Sequence, residues 1–311
     1  MCIKSYIKLI LIVDTRTIEL LVRGLDALAE SMEYLATKEY IEKMLDLLKE
    51  LLSDHRLFPN LKFAIVFGSA VRPKDFVVGA SDIDVLVVTD GEPRRHNIEI
   101  DLYYSKATIT LMSIEKLNKI IEDGYPLAFM IYRDSKPIID DGTYEKLIKT
   151  MKPKITDLTL RILRRSALAA LELGLEKHLY ELYRQATTHA YHSIKHAARY
   201  RALREKPFPE AYPISDDEVK DALTEEEREI FEETRILRRK EVTKEESINI
   251  LDKAGRAISL ILKCNIPGLR KAINIIEKET PGLVRLQDKG DKAVIIYEVI
   301  RGDKTKIIEI E

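Results

Sequence analysis

Glutamine is nearly missing from this chain of 311 residues, which holds only Gln185 and Gln287. Beside abundant Lys, Arg and Glu, that bias fits a protein of a hot environment, where desolvating ion pairs costs less. Cysteine is as scarce: Cys2 and Cys264 are too few for a disulfide framework, so a reducing, cytoplasmic home is expected. An excess of one charge is also absent, with 51 Lys+Arg against 52 Asp+Glu, so global charge gives no pull toward nucleic acid or membrane. The apolar run Leu9–Val13 falls far short of the roughly 20 residues that span a bilayer. It also lacks a small-residue cleavage site after it, which argues against a signal peptide. No tandem repeat or low-complexity tract occurs. What remains is a folded composition, 45% hydrophobic and 33% charged, long enough for two or three modest domains.

Residues 14–56 read as helix; from Tyr40 to Leu52 apolar positions recur at steps of three and four. After Pro59-Asn60 the pattern changes. Phe63–Phe67 is a short apolar run, predicted to be a buried strand ended by Gly68. A second strand is expected over Ile83–Val88 and a third over Ile98–Tyr104, the latter with Glu99 and Asp101 on one face. Ser113 is placed to N-cap a helix through Glu122, and Pro137–Gly142 reads as an edge strand and turn. From Tyr144 to Lys263 the chain reads as helix, interrupted at Pro207, Pro209 and Pro213. Its charge is segregated: residues 154–206 carry eleven Lys/Arg against five Asp/Glu, and residues 215–233 two against ten. Solvated faces of opposite sign that pair with each other would account for this. A last helix opening at Pro267-Gly268 and a small antiparallel sheet over Val284–Ile310 close the chain.

The chemistry concentrates in Phe67-Gly68-Ser69-Ala70-Val71-Arg72 and Ser81-Asp82-Ile83-Asp84. A strand ending in Gly-Ser permits a tight turn and close approach of a phosphate, with backbone N–H groups and the hydroxyl as donors. Asp82 and Asp84, two residues apart on a strand, project from one face. Two hard oxygen ligands side by side suit Mg²⁺ (or Mn²⁺), which keeps its other positions for water and phosphate oxygens. A third carboxylate is expected from a neighbouring strand to complete a two-metal arrangement, and Glu99 and Asp101 both qualify. Arg72 is a candidate to steady the phosphates or the turn.

Gly-Ser followed by Asp-Ile-Asp resembles the DNA polymerase β nucleotidyltransferase superfamily, and over roughly residues 58–145 the chain is similar to its small "minimal nucleotidyltransferase" members. Gly124-Tyr125-Pro126-Leu127-Ala128 and Lys136–Gly142 resemble the end of that domain. The resemblance implies an NTP substrate, ATP first, held at Gly68 and Ser69, metal ligation by Asp82 and Asp84, and Asp101 as third carboxylate. Pro73, where many relatives have Gly, and the long loop to Ala80 depart from the pattern.

Within the basic stretch, Arg184, His189 and Tyr191 resemble the Arg-x4-His-x-Tyr motif of HEPN domains, helical bundles in some of which Arg and His cut RNA. On an ideal helix Arg184 and Tyr191 share a stripe, but His189 lies about 140° from Arg184. His189, His192 and His196 fall within about 60° of one another, which suits a cleft or solvated face better than a metal site. Alternatively the helices form a substrate platform, as in kanamycin nucleotidyltransferase, with Arg161, Arg164, Arg165 and Lys195 holding an acceptor or RNA phosphates.

The expected architecture is α+β: an N-terminal helical arm (1–57), a polymerase β-type mixed sheet (58–145), a HEPN-like helical bundle (146–263) and a small α/β tail (264–311). The expected activity is nucleotidyl transfer to a hydroxyl of a protein, an RNA end or a small molecule. A homodimer through the helical half would fit this, and no membrane partner is expected. The competing readings are a non-catalytic nucleotide-binding, antitoxin-like regulator and a metal-independent RNase.

Overall fold

The computed structural model describes residues 36–278, 281–301 and 304–310. The chain divides into two compact units, Met1–Leu51 and Leu52–Glu311. Of the first, residues 36–51 are described and are helical; this helix, α1, ends at residue 52. The expected helix over 14–35, the run Leu9–Val13 and Cys2 lie outside the described residues.

The second unit begins with a five-stranded mixed sheet of order β3-β4-β2-β1-β5. Its strands are β1 (Leu61–Phe67), β2 (Ile83–Thr89), β3 (Asn97–Leu102), β4 (Ser105–Ser113) and β5 (Ser135–Asp140). β1 runs antiparallel to β2 and β5, β2 parallel to β4, and β3 antiparallel to β4. Central strands covered on both faces need unbroken apolar sequence, and Phe63–Val66 and Val85–Val88 supply it, all buried. β3, at an edge, alternates instead. The sequence reading missed β4. Its period of two (Ala107, Ile109 and Leu111 inward; Lys106, Thr108 and Thr110 outward) is plain once the turn before it is known.

Helices α2 (Ile114–Asp123), α3 (Pro126–Arg133) and α4 (Thr143–Thr150) accompany the sheet. Ser113 caps α2 as expected, accepting the Lys116 N–H at 3.2 Å. Gly124 ends it with φ 75°, where a Cβ would meet the Lys154 carbonyl oxygen at 2.1 Å. That tight contact seats α5 (Asp157–Leu179), whose Thr159 hydroxyl donates to the Gly124 carbonyl at 2.6 Å.

The long helical reading breaks more often than its prolines announce. After α5 come α6 (Tyr183–Glu205), α7 (Asp216–Asp221), α8 (Glu225–Leu237), α9 (Lys244–Leu262) and α10 (Leu269–Ile276). The break between α5 and α6 is made at Glu181, with φ 60°. An antiparallel sheet of β6 (Pro281–Asp288), β7 (Ala293–Arg301) and β8 (Lys304–Ile310) ends the chain and shares one core with the helices through Leu168, Leu171, Ile258, Val284 and Ile295. The architecture is therefore α+β: a mixed sheet, a helical region and a small antiparallel tail. The segregated charge closes on itself in part, since Lys195 pairs with Asp216 at 2.9 Å and Arg201 with Glu227 at 2.5 Å. Among the described residues no helix is long and apolar enough to cross a membrane.

Candidate active site

β1 stops at Phe67 because Gly68 turns the chain with φ 76° into a single 3-10 turn, Gly68–Val71. Phe67 pairs with Asp84 across the sheet, so the turn sits against the head of β2. A Cβ at position 68 would lie 3.2 Å from the Asp84 Oδ2, so only glycine lets backbone and carboxylate approach this closely. Ser69 beside it is half-buried. Asp84 is half-buried, and loss of solvent together with the neighbouring Asp82 carboxylate pushes its carboxyl up to about 7. No hydrogen-bond donor or cation among the described residues pairs with Asp84. Asp82 stands one residue before the strand, exposed; partial burial raises its pKa, while Lys106 pulls the other way.

Pairing registers order what lies beside these two. Asp84, Thr108 and Glu99 form one row across β2, β4 and β3; Lys106 and Asp101 form the next, flanking Asp82. The strand adjoining β2 is thus β4, which offers Thr108 and Lys106 rather than a carboxylate. Glu99 and Asp101 stand one strand farther, about 10 Å from the pair at the usual strand spacing. Glu99 is drawn to Lys106 at 3.8 Å, and Asp101 is exposed. The expected set of three carboxylates does not assemble: among the described residues no three His, Cys, Asp or Glu side chains are grouped to hold a metal ion.

The loop between turn and carboxylates is tied down at several points. Ser81 accepts the Val77 N–H at 3.0 Å and an Arg238 N–H at 3.3 Å, which fixes the residue preceding Asp82. Asp75 accepts Arg72 Nε at 2.8 Å and the backbone N–H of Asp216 at 3.2 Å. Arg72 also pairs with Asp134 and its side chain is only 17% exposed, so its guanidinium is engaged by protein carboxylates rather than offered to a phosphate. Asp216 in turn accepts from the Tyr191 hydroxyl at 2.5 Å, Lys195 at 2.9 Å and Arg235 at 2.9 Å. Burial opposes its charge, but Lys195 and these hydrogen bonds outweigh that and hold its pKa below the usual carboxylate value. Burial lowers Lys195 to about 8, which leaves it protonated at neutral pH.

A cleft of about 870 Å³ opens between the head of the sheet and α6. Asp82, Asp101, Lys106 and the hairpin Tyr103-Tyr104 form one wall. The other is a single stripe of α6, Gln185, Thr188, His189 and His192, with Arg184 in the first turn. Helical angle had separated Arg184 from His189; both nonetheless line this space, next to the aspartates. Burial, with Lys177 nearby, lowers the His189 pKa and keeps the ring neutral. Tyr191 points the other way. It is 2% exposed and stacks on Phe231 at 5.2 Å with Arg238 over its face at 4.2 Å, so the Arg-His-Tyr constellation does not assemble. His196 is half-buried and does not line the cleft, Lys195 is bound to Asp216, and Arg164 is held by Asp288 at 2.8 Å. Sequence reasoning missed Ser81, Lys106, Thr108 and Tyr103. Only the alternation through Lys106 and Thr108 carried a readable signal.

No protein-family model matches the chain, and no curated protein matches it. Among solved structures it is similar to a nucleotidyltransferase-like protein from Exiguobacterium sibiricum, at 13% identity and a TM-score of 0.34, over 83% of this chain and 100% of that one. It is also similar to the spectinomycin adenyltransferase AAD(9) of Enterococcus faecialis, solved with ATP and spectinomycin, at 17% identity and a TM-score of 0.39, over 68% of this chain and 98% of that one. These likenesses are distant.

Proposed function

We propose that the chain transfers a nucleotidyl group from an NTP, ATP foremost, to a hydroxyl, with pyrophosphate leaving. One observation carries this reading: a half-buried carboxylate with no donor of its own, Asp84, lies against the glycine turn and beside a second carboxylate, Asp82. Two adjacent carboxylates, one of them half shielded from water, oppose each other's charge, and a hard divalent ion that retains open positions for phosphate oxygens would resolve that cost. Asp82 and Asp84 would hold it; when bound, Mg²⁺ or Mn²⁺ would lower the pKa of the attacking hydroxyl and offset charge on the departing pyrophosphate.

The chain's own residues account for the rest. Gly68 and Ser69 receive the β- and γ-phosphates on backbone N–H groups and a hydroxyl. Lys106, beside Asp82, adds positive charge where the α-phosphate would lie. The acceptor oxygen bonds to the α-phosphorus as the bridge to the β-phosphate breaks, and pyrophosphate keeps the electron pair. The released proton needs a neutral base facing the cleft, and His189 meets that requirement. Of the competing readings, the RNase one gains a single observation, Arg184 and His189 in one cleft. Neither a regulator that only binds nucleotide nor a metal-independent RNase has a use for an unpaired, half-buried Asp84 against the glycine turn.

The test is incubation with α-labelled NTPs and Mg²⁺, following pyrophosphate release and label transfer to protein, RNA and small hydroxyl compounds. Asp82→Asn and Asp84→Asn are expected to abolish both at unchanged melting temperature. Absence of metal-dependent NTP binding by the unaltered chain would overturn the proposal. RNA cleavage, followed in parallel, that survives EDTA and both substitutions would point to the RNase chemistry instead.

A further inference from the structure

The turn joining β3 to β4 is built from two tyrosines, Tyr103 and Tyr104, between the paired residues Leu102 and Ser105. Two-residue hairpin turns of this kind favour Asn, Asp or Gly, because the backbone must enter the left-handed region. Tyr103 does so with φ 49°, a conformation that bulky residues rarely adopt. It is also 84% exposed, and its ring has no aromatic or cationic partner among the described residues. The fold therefore gains nothing from an aromatic ring here, and backbone geometry argues against one. Such outliers concentrate where a ligand is held.

The location supplies the ligand. Tyr103 lines the same cleft as Asp82 and Lys106, on the wall facing α6. With the proton acceptor His189 on the α6 wall, the hydroxyl substrate belongs there, and the hairpin wall is left for the nucleoside. We infer that Tyr103 is the stacking platform for the base of the bound NTP, an inference that rests on the proposed nucleotidyl transfer. An open aromatic face reads the area of a base rather than its hydrogen-bonding edge, so all four NTPs are accepted, purines more tightly.

The experiment compares equilibrium dialysis of ATP and of inorganic triphosphate, each with Mg²⁺, against the unaltered chain and Tyr103→Asn. Asparagine tolerates the left-handed backbone and cannot stack. ATP affinity is expected to fall roughly ten-fold, within the range stacking contributes. Triphosphate affinity should stay unchanged, and the melting temperature should hold or rise. A structural role for the ring would instead lower stability together with binding. The chain has no tryptophan, so Tyr103→Trp installs a lone reporter whose emission should quench on ATP and not on triphosphate. Unchanged ATP affinity in Tyr103→Asn, an equal loss for both ligands, or an indifferent Trp signal would each overturn the inference alone. Failure of the unaltered chain to bind either ligand would remove the transfer reading and this inference together.

Discussion

Replacing Gly68 by alanine separates fold from chemistry at the glycine turn. The backbone there has φ 76°, and the new Cβ would lie 3.2 Å from Asp84 Oδ2. Holding a residue with a Cβ in the left-handed region costs roughly 1–2 kcal/mol. For a chain of this size that lowers the melting temperature by roughly 1.5–3 °C. The 3.2 Å contact is tighter than ordinary van der Waals packing, so the Asp84 carboxylate must give way by a few tenths of an ångström. Misplacement on the order of 1 Å in a preorganised site costs about 100-fold in rate, so a loss of about ten-fold in pyrophosphate release is expected for this smaller shift. Gly124→Ala is the control: its φ of 75° is similar and its clash, 2.1 Å to the Lys154 carbonyl, is more severe, but that carbonyl belongs to the seat of α5. Calorimetry should show Gly124→Ala losing more stability than Gly68→Ala, while pyrophosphate release per folded molecule falls only in Gly68→Ala. If Gly68→Ala melts early yet keeps its full rate, the close approach of turn and carboxylate has no part in catalysis.

Two further outcomes follow from the buried charges. Asp216→Ala leaves Lys195 and Arg235 without their shared carboxylate, and breaking such a pair should cost about 3–5 kcal/mol in denaturant unfolding. Because the folded protein holds the Asp216 pKa below the ordinary 3.8, its stabilisation is fully present above that pH and drains away as pH falls below it. Asp216→Asn should therefore flatten that part of the acid-unfolding curve; an unchanged curve would mean that the pair contributes nothing. Tyr191→Phe keeps the stack on Phe231 but loses the hydroxyl bonded to Asp216 and Lys195, for about 1–2 kcal/mol. Peptide maps of any self-labelled protein should not change in that variant, since a residue 2% exposed is no acceptor.

The strands that carry the candidate site were legible because buried central strands need continuous apolar runs, and Phe63–Phe67 and Val85–Val88 have them. Ser113 announced α2 by its side-chain chemistry. β4 went unread for a physical reason: the turn before it has tyrosines where a hairpin normally has Gly, Asn or Asp, so residues 103 and 104 passed for strand and the alternation after them lost its starting point. With β4 missing, Asp101 seemed to adjoin Asp82, when a whole strand intervenes. For Arg72 the choice between steadying phosphates and steadying the turn was not legible, because its partners Asp75 and Asp134 are fixed only in three dimensions. The same holds for His189, whose place opposite the aspartates depends on the break at Glu181, where no proline or glycine marks an end.

Arg238 and Asp216, both from the helical half, hold the segment that presents Asp82 by gripping Ser81 and Asp75. Exchanging the helices wholesale would not leave the site intact, because the incoming helices would have to restore these two anchors before Asp82 regained its aim. Any useful chimera must therefore carry its own matched loop, and drift in one half constrains drift in the other.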